Sequence, residues 1–225
     1  MKQRVRTRMN NYGNVTLIDH CGNDLKVVNS ARISLFKHDD YNTYITDRDI
    51  KLIEYLAEHK HTSPFEHNFI TFHIKCPLFI AKHIMRHRTF SYNEVSRRYT
   101  SELIEFYYPA ELRQQADKNL QASTDDLVKD HDKALSIFKE SCNKSLEDYQ
   151  RLIMLGVCRE QARAVLNQSM FTTFYMSGNL HNFIKFLKLR MSPDAQKEIQ
   201  WIAKDIYIIL KELYPVSMKA CFDER

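Results

Sequence analysis

Between Arg86 and Tyr99 the chain reads RHRTFSYNEVSRRY, and these fourteen residues carry four arginines, one histidine and a single carboxylate, Glu94. Guanidinium groups at this density repel one another unless an anion lies among them. One glutamate cannot serve four arginines, so the stretch points to an external anionic ligand. Arginine also grips phosphate or carboxylate through two parallel N–H bonds, which lysine does not. Phe90 and Tyr92, with the polar Ser91 and Asn93, interleave the cations and set the run apart from a solvated charged face. Two ligand classes fit. A single-stranded nucleic acid would use Arg86, Arg88, Arg97 and Arg98 around stacking aromatics, whereas a single nucleotide needs only the local cluster. The formal net charge of +5 is too small for a nucleic-acid-coating surface and favours the smaller ligand. Neither GxxxxGK nor GxGxxG occurs, so side chains rather than a glycine-rich backbone must do the holding.

Other residues invite the same question with less force. His83 and His87 are spaced to share a helix face, but Ile84 stands where an HExxH zinc motif needs Glu. No third ligand lies at useful spacing, and no metal is expected. The segment HTSPFEH, residues 61–67, gathers His61, Ser63, Glu66 and His67 about a proline turn and reads either as a polar loop or as part of a site. Arg163 and Arg190 are isolated arginines whose default role is a surface ion pair. Five cysteines, odd in number and without CxxC spacing, read as free thiols in a reducing compartment. The N-terminal segment has no apolar signal-peptide core, and no window approaches a membrane-spanning length. A cytoplasmic location with no membrane partner follows as an expectation.

The elements that must position these residues are partly visible. Residues 14–28 mix β-branched residues with the turn signal CGND and predict a hairpin. Thr46 and Asp49 form a capping-box-like start for a helix to about residue 59, with Ile50, Ile53 and Leu56 at helical spacing. Alternation in ITFHIKC, residues 70–76, predicts a half-buried strand. Pro77 then suits the first turn of a helix running to about Arg88, so the arginine motif begins on a helix end and continues into a loop. Thr124, Asp125 and Asp126 look like the N-terminus of a long helix ending before Gly156. A short helix at about 159–166, a strand at MFTTFYM, and a helix at about 180–188 follow. SPDAQ, residues 192–196, predicts the start of the last helix, whose buried stripe is Ile199, Ile202, Ile206 and Leu210. No Gly-, Ser- or Pro-rich linker or internal repeat appears. The expectation is an α+β fold, with helices packed around a central, mostly antiparallel sheet in a single domain spanning residues 1–225.

Arg86, His87, Arg88, Ser91, Asn93, Glu94, Ser96, Arg98 and Tyr99 match, in order, the RHRxxSxNExSxRY signature. On these residues the chain resembles the flavin-dependent thymidylate synthases. HTSPFEH resembles the HETPFEH-type loop of that family, and ARIS at 31–34 its early A-R-x-S segment. AR at 162–163, LKLR at 187–190 and AQ at 195–196 follow in the family's order, so the resemblance covers roughly residues 15–215.

The resemblance implies reductive methylation of dUMP to dTMP, with 5,10-methylenetetrahydrofolate as carbon donor, FAD carrying hydride and NADPH supplying it. It also implies a homotetramer with active sites at subunit interfaces, small-molecule partners only, and no nucleic acid. By the family pattern, Ser63, Arg86, His87, Arg88, Glu94, Asn179, His181 and Lys185 bind the cofactor. His83, Arg86, Glu94, Val95, Ser96, Arg97, Arg98, Arg163 and Arg190 bind the nucleotide. Arg190 and Ser96 are the catalytic candidates: Arg190 beside the uracil ring as a fixed cation, Ser96 in a binding and orienting role, since no general base is evident near it. No cysteine falls in the motif, so the covalent mechanism of the unrelated cysteine-dependent synthases is not implied. The chain departs from the family pattern at His83 for a common Gln, Asn167 for Pro, His181 for Arg, Lys185 for Asn and Asp194 for His.

Overall fold

The computed structural model describes residues 7–10, 12–35, 43–99, 104–118 and 122–223. A five-stranded sheet organises them. β1 (Thr7–Asn10), β2 (Gly13–Cys21), β3 (Phe69–Pro77), β4 (Ser91–Glu94) and a later strand, Phe171–Asn179, lie in the order β1-β2-β3-(171–179)-β4. Every neighbouring pair is antiparallel. The sequence alternation in β3 is realised with Ile70, Phe72, Ile74 and Cys76 fully buried on one face, while Thr71, His73 and Lys75 on the other are only half-buried.

Helices cover the buried face. α1 (Asp24–Arg32), α2 (Asp47–Glu58) and α3 (Leu78–Met85) precede β4. A separate hairpin, β5 (Arg113–Gln115) and β6 (Ser123–Leu127), then leads to α4 (His131–Met154) and α5 (Arg159–Ala162). After these come β7 (Phe171–Asn179, the later strand above, between β3 and β4), α6 (Leu180–Arg190), α7 (Lys197–Leu213) and α8 (Pro215–Phe222). The main core joins Phe72, Ile74, Phe174 and Met176 of the sheet to Ile80 and Ile84 of α3, Phe183, Phe186 and Leu187 of α6, and the predicted Ile199, Ile202, Ile206 and Leu210 stripe of α7. A smaller core of Phe106, Cys142 and Met170 ties α4 to the entry of β7.

Several boundaries differ from the sequence expectation. CGND is no hairpin turn: Asn23 caps α1, its side chain accepting from the Lys26 amide. The first hairpin is instead β1–β2. Thr124, Asp125 and Asp126 lie in β6, where Arg113 Nε donates to Ser123 Oγ and Lys197 pairs with Asp125. Pairing of β6 with β5, and the Lys197 contact from the start of α7, replace the cap, and α4 begins at His131. It ends as expected, with Gly156 in the left-handed region at φ 87°. Ser192-Pro193-Asp194 forms a turn before α7 rather than its start; Gln200 Nε2 donates to the carbonyls of Pro193 and Ala195 and holds it. Asp194 is exposed there. Pro77 ends β3 and stands at the N-cap of α3. The Thr46/Asp49 capping box forms as read, and Asp49 also pairs with Arg32.

One carboxylate fastens α1 to α8. Asp24, buried in the first turn of α1, accepts the amides of Val216 (2.8 Å) and Ser217 (2.9 Å) and the Ser217 hydroxyl. A carboxylate at the N-terminus of α8 satisfies donors the helix itself cannot. Asp24→Ala leaves the buried Ser217 amide and the partly buried Val216 amide unpaired and is expected to destabilise the fold by about 3 kcal/mol. The midpoint of urea unfolding would reveal it, and an unchanged midpoint would remove Asp24 from this role.

Candidate active site

The first half of the arginine motif hangs from the end of α3. Arg86 is the helix C-cap, and the next amide, of His87, still bonds to the Ile84 carbonyl. Tyr92 reaches back from β4 so that its hydroxyl lies 2.8 Å from the Ile84 carbonyl oxygen and 3.0 Å from that of His87. Burial pushes the Tyr92 phenol pKa up. Phe90 packs edge-on against Phe183 at 4.7 Å between ring centroids, and Asn182 Nδ2 donates to the Thr89 carbonyl at 3.2 Å. These contacts tie the loop to α6 and leave Arg86 and Arg88 exposed.

α6 supplies the rest of this cluster. The Asn179 side chain caps the helix, accepting from the Asn182 amide. His181, Lys185 and Arg190 follow along it. Arg190 turns back onto α3: Nε donates to His87 Nε2 at 2.9 Å, and Nη2 donates to the His83 carbonyl at 3.2 Å. His87 also packs edge-on against Phe186. Ser63 opens the short turn Ser63–His67, which is anchored by buried Pro64 and Phe65, and the Glu66 charge acts on His181.

The electrostatics follow from this packing. Burial first, then the charges of Arg190 and Lys185, pull His87 down to about 4. His83 is lowered by burial and Arg190, His73 by burial, and His181 by burial against the opposing pull of Glu66. All four imidazoles are therefore disfavoured as cations in the folded chain. The unfolded chain takes up their protons near the ordinary value of 6.5, so stability falls as pH drops from 6.5 toward the folded values. A melting temperature that declines between about pH 7 and about pH 5, with a smaller decline in His87→Gln, is the expected result. A flat profile over that window would contradict it.

The second half of the motif is carried elsewhere. Ser91–Glu94 is not loop but the edge strand β4, with Ser91 opposite Ser177 and Glu94 opposite Phe174. Glu94 Oε1 accepts the Thr172 hydroxyl at 2.6 Å, and the Val95 amide bonds to the Thr173 carbonyl. Ser96 then makes a turn in which its hydroxyl accepts the Arg98 amide at 3.3 Å. Arg97 is half-buried, its pKa lowered by burial against the fields of Tyr149 and Glu105. Arg98 lies over Tyr99 and, with it, lines a cleft of about 530 Å³ closed by Gly156, Cys158, Arg159 and Glu160 at the α4–α5 junction. Arg163, exposed, donates from Nε to the Glu160 carbonyl.

The candidate residues thus fall into two groups on one chain. His83, Arg86, His87, Arg88 and Arg190 gather at the α3 end, with Asn179, His181 and Lys185 along the adjoining α6 and Ser63 on the turn packed beside it. Glu94, Val95, Ser96, Arg97, Arg98 and Arg163 lie toward the opposite end of β4, near α4 and α5. β4 runs from one group into the other, its length about 10 Å. The expectation that one helix end and its loop carry the whole motif is corrected accordingly.

Sequence reasoning passed over the supports. Gly178 was detectable: it is one of only four glycines and sits inside a strand, where glycine often marks a close approach. A Cβ there would come within 2.5 Å of the Phe90 ring. Thr172 and Asn182 gave no comparable signal, and Tyr92, noted only as an aromatic among the cations, gave none of its hydrogen bonds to the Ile84 and His87 carbonyls. Among the described residues no group of three or more His, Cys, Asp or Glu is placed to hold a metal ion, and no helix is long and apolar enough to cross a membrane.

Comparison with known proteins is direct. The family model described as thymidylate synthase complementing protein matches residues 16–216. The flavin-dependent thymidylate synthase of Thermus thermophilus is 42% identical over 212 residues, 94% of this chain and 76% of the relative. That of Thermosipho melanesiensis is 41% identical over 210 residues, 92% of this chain and 90% of the relative. The crystal structure of a UMP/dUMP methylase, PolB from Streptomyces cacaoi, bound with 5-Br dUMP, superposes with a TM-score of 0.82 at 34% identity, covering 96% of this chain and 95% of that one. The ordered motif, its antiparallel scaffold and these likenesses together show that this chain belongs to the flavin-dependent thymidylate synthase family.

Proposed function

We propose that the chain converts dUMP to dTMP, taking the carbon from 5,10-methylenetetrahydrofolate and reducing power from NADPH through FAD. The observation that carries this reading is the fixed, partly desolvated guanidinium of Arg190 at the centre of the α3–α6 cluster. Methyl transfer to C5 of a pyrimidine requires negative charge in the ring, and a preorganised cation in a site of reduced polarity stabilises it strongly. The neighbour's bound 5-Br dUMP supports the same substrate class.

The donor set fits a flavin dinucleotide. Arg86, Arg88 and Lys185 are exposed cations on adjoining elements, suited to a diphosphate, and the Ser63 hydroxyl and the His181 ring add hydrogen-bonding capacity. FAD, when bound, supplies the hydride chemistry. The protein's residues bind and orient: Ser96, Arg97, Arg98 and Arg163 serve the nucleotide, and Glu94, steadied by Thr172, offers its second carboxylate oxygen as an acceptor. Because the two groups lie at opposite ends of β4, a complete site is best built from more than one copy, which supports a homotetramer with sites at subunit interfaces. A single domain over residues 1–225 in the cytoplasm completes the reading. The nucleic-acid alternative has no support among the relatives.

The test is the flavin absorption spectrum. Purified protein should be yellow, bleached by NADPH and perturbed by dUMP. A colourless protein that cannot be loaded with FAD would overturn the proposal.

A further inference from the structure

We propose that His87 is a positioning residue for Arg190, an uncharged hydrogen-bond acceptor that fixes the guanidinium without cancelling its charge. The inference rests on the proposed role of Arg190 beside the pyrimidine. Arginine Nε always carries its proton, so the 2.9 Å contact to His87 Nε2 requires that ring nitrogen to be bare and places the imidazole proton on Nδ1. The ring is itself held. Its edge packs on Phe186, its backbone carbonyl lies 3.0 Å from the Tyr92 hydroxyl, and its amide bonds to Ile84.

The groups acting on the ring are Arg190 and Lys185 from α6, while His83 stands one helical turn earlier on α3 and Arg86 and Arg88 flank it in sequence. Both charges felt at the ring are positive, and burial adds to them, so the neutral form is the stable one. A protonated imidazole would replace the hydrogen bond by repulsion. A carboxylate at the same position would hold Arg190 at least as firmly, but as an ion pair, and would remove the positive field that the reaction draws on. A neutral acceptor satisfies both demands.

Substitution separates the two functions of the side chain. His87→Gln can place a neutral oxygen near the position of Nε2; His87→Glu places a charged oxygen there; His87→Leu removes the acceptor. The glutamine variant should keep kcat within about tenfold of the parent, while the Glu and Leu variants fall about 100-fold in kcat, with KM for dUMP moving much less. In an Arg190→Ala background the same three substitutions should add nothing further. Equal activity of the Glu and Gln variants, or losses that persist undiminished in the Arg190→Ala background, would overturn the proposal. The family pattern also sets His87 among the cofactor residues, so kcat is compared per bound flavin, with occupancy read from the flavin-to-protein absorbance ratio; losses that vanish on that basis would overturn the proposal.

An activity-independent measurement keeps the contact testable should the variants fold poorly. Imidazole ¹⁵N spectra of the parent protein, with His87 assigned by its absence in His87→Gln, should show Nε2 unprotonated and Nδ1 protonated. The opposite tautomer, or an imidazolium at neutral pH, would refute the arrangement. A parent protein that makes no dTMP yet shows the expected tautomer would reject the proposed reaction while leaving the His87–Arg190 contact standing.

Discussion

Arg190→Ala lowers kcat for dTMP formation by about 10²–10³-fold, the loss associated with removing a preorganised electrostatic group. FAD stays bound. This is the expected result because the guanidinium is anchored inward, through His87 Nε2 and the His83 carbonyl, while the exposed cations Arg86, Arg88 and Lys185, proposed to hold the cofactor, remain. Burial lowers the Arg190 pKa, the sign of a site where a charge is less well solvated and acts more strongly on its surroundings. Lysine should rescue little. Its single ammonium cannot reproduce both directed bonds at the required separation. Steady-state kinetics beside the flavin-to-protein absorbance ratio decide the matter. If turnover and dUMP affinity both survive in Arg190→Ala, the side chain does not act on the pyrimidine.

Gly178→Ala should be almost as damaging, although glycine carries no chemistry. The Phe90 ring lies against the backbone of β7, and an added Cβ would approach its Cδ1 to 2.5 Å and its Cε1 to 2.8 Å. Phe90 cannot retreat, because Phe183 and Phe186 pack behind it. The motif loop must therefore shift. Overpacking of this kind costs about 1–3 kcal/mol in stability. A displacement of about 1 Å in residues that orient substrate is worth about 100-fold in rate. The variant should stay folded by circular dichroism, lose flavin on gel filtration and lose activity together. Gly178→Ala/Phe90→Leu, which relieves the clash, should recover flavin retention. A fully active single variant would show that the loop tolerates the shift.

Much of the scaffold was legible because it is local. The Thr46/Asp49 capping box, the alternation of Ile70, Phe72, Ile74 and Cys76, and the Ile199–Leu210 stripe are patterns in which neighbours in sequence set the geometry, and the structure reproduces them. Failures came where a distant partner outbid a local signal. Thr124-Asp125-Asp126 looks like a helix start, yet pairing with β5 makes it strand, and Lys197, remote in sequence, pairs with Asp125 there. Ser192-Pro193 looks like another, yet Gln200 ties it into a turn. Asn23 could close a hairpin or cap a helix, and burial of Val27 and Val28 against the core decided for the helix.

The same division runs through the site. The identity and order of Arg86, His87, Arg88, Glu94, Ser96 and Arg98 were determined by the sequence alone, because ligand chemistry depends on residue types that can be read directly, and they sufficed to indicate an anionic nucleotide and the family. What the tertiary structure decided is where those groups stand. Pairing of Ser91–Glu94 with β7 drives the two halves of the motif to opposite ends of an edge strand. The return of α6 onto α3 brings Arg190 against His87, 103 positions away in the chain. Neither follows from local propensity. Strand pairing and helix docking are settled by the shared burial of Phe72, Phe174, Phe183 and Ile84 in one core, a free-energy gain that exists only when all of them meet.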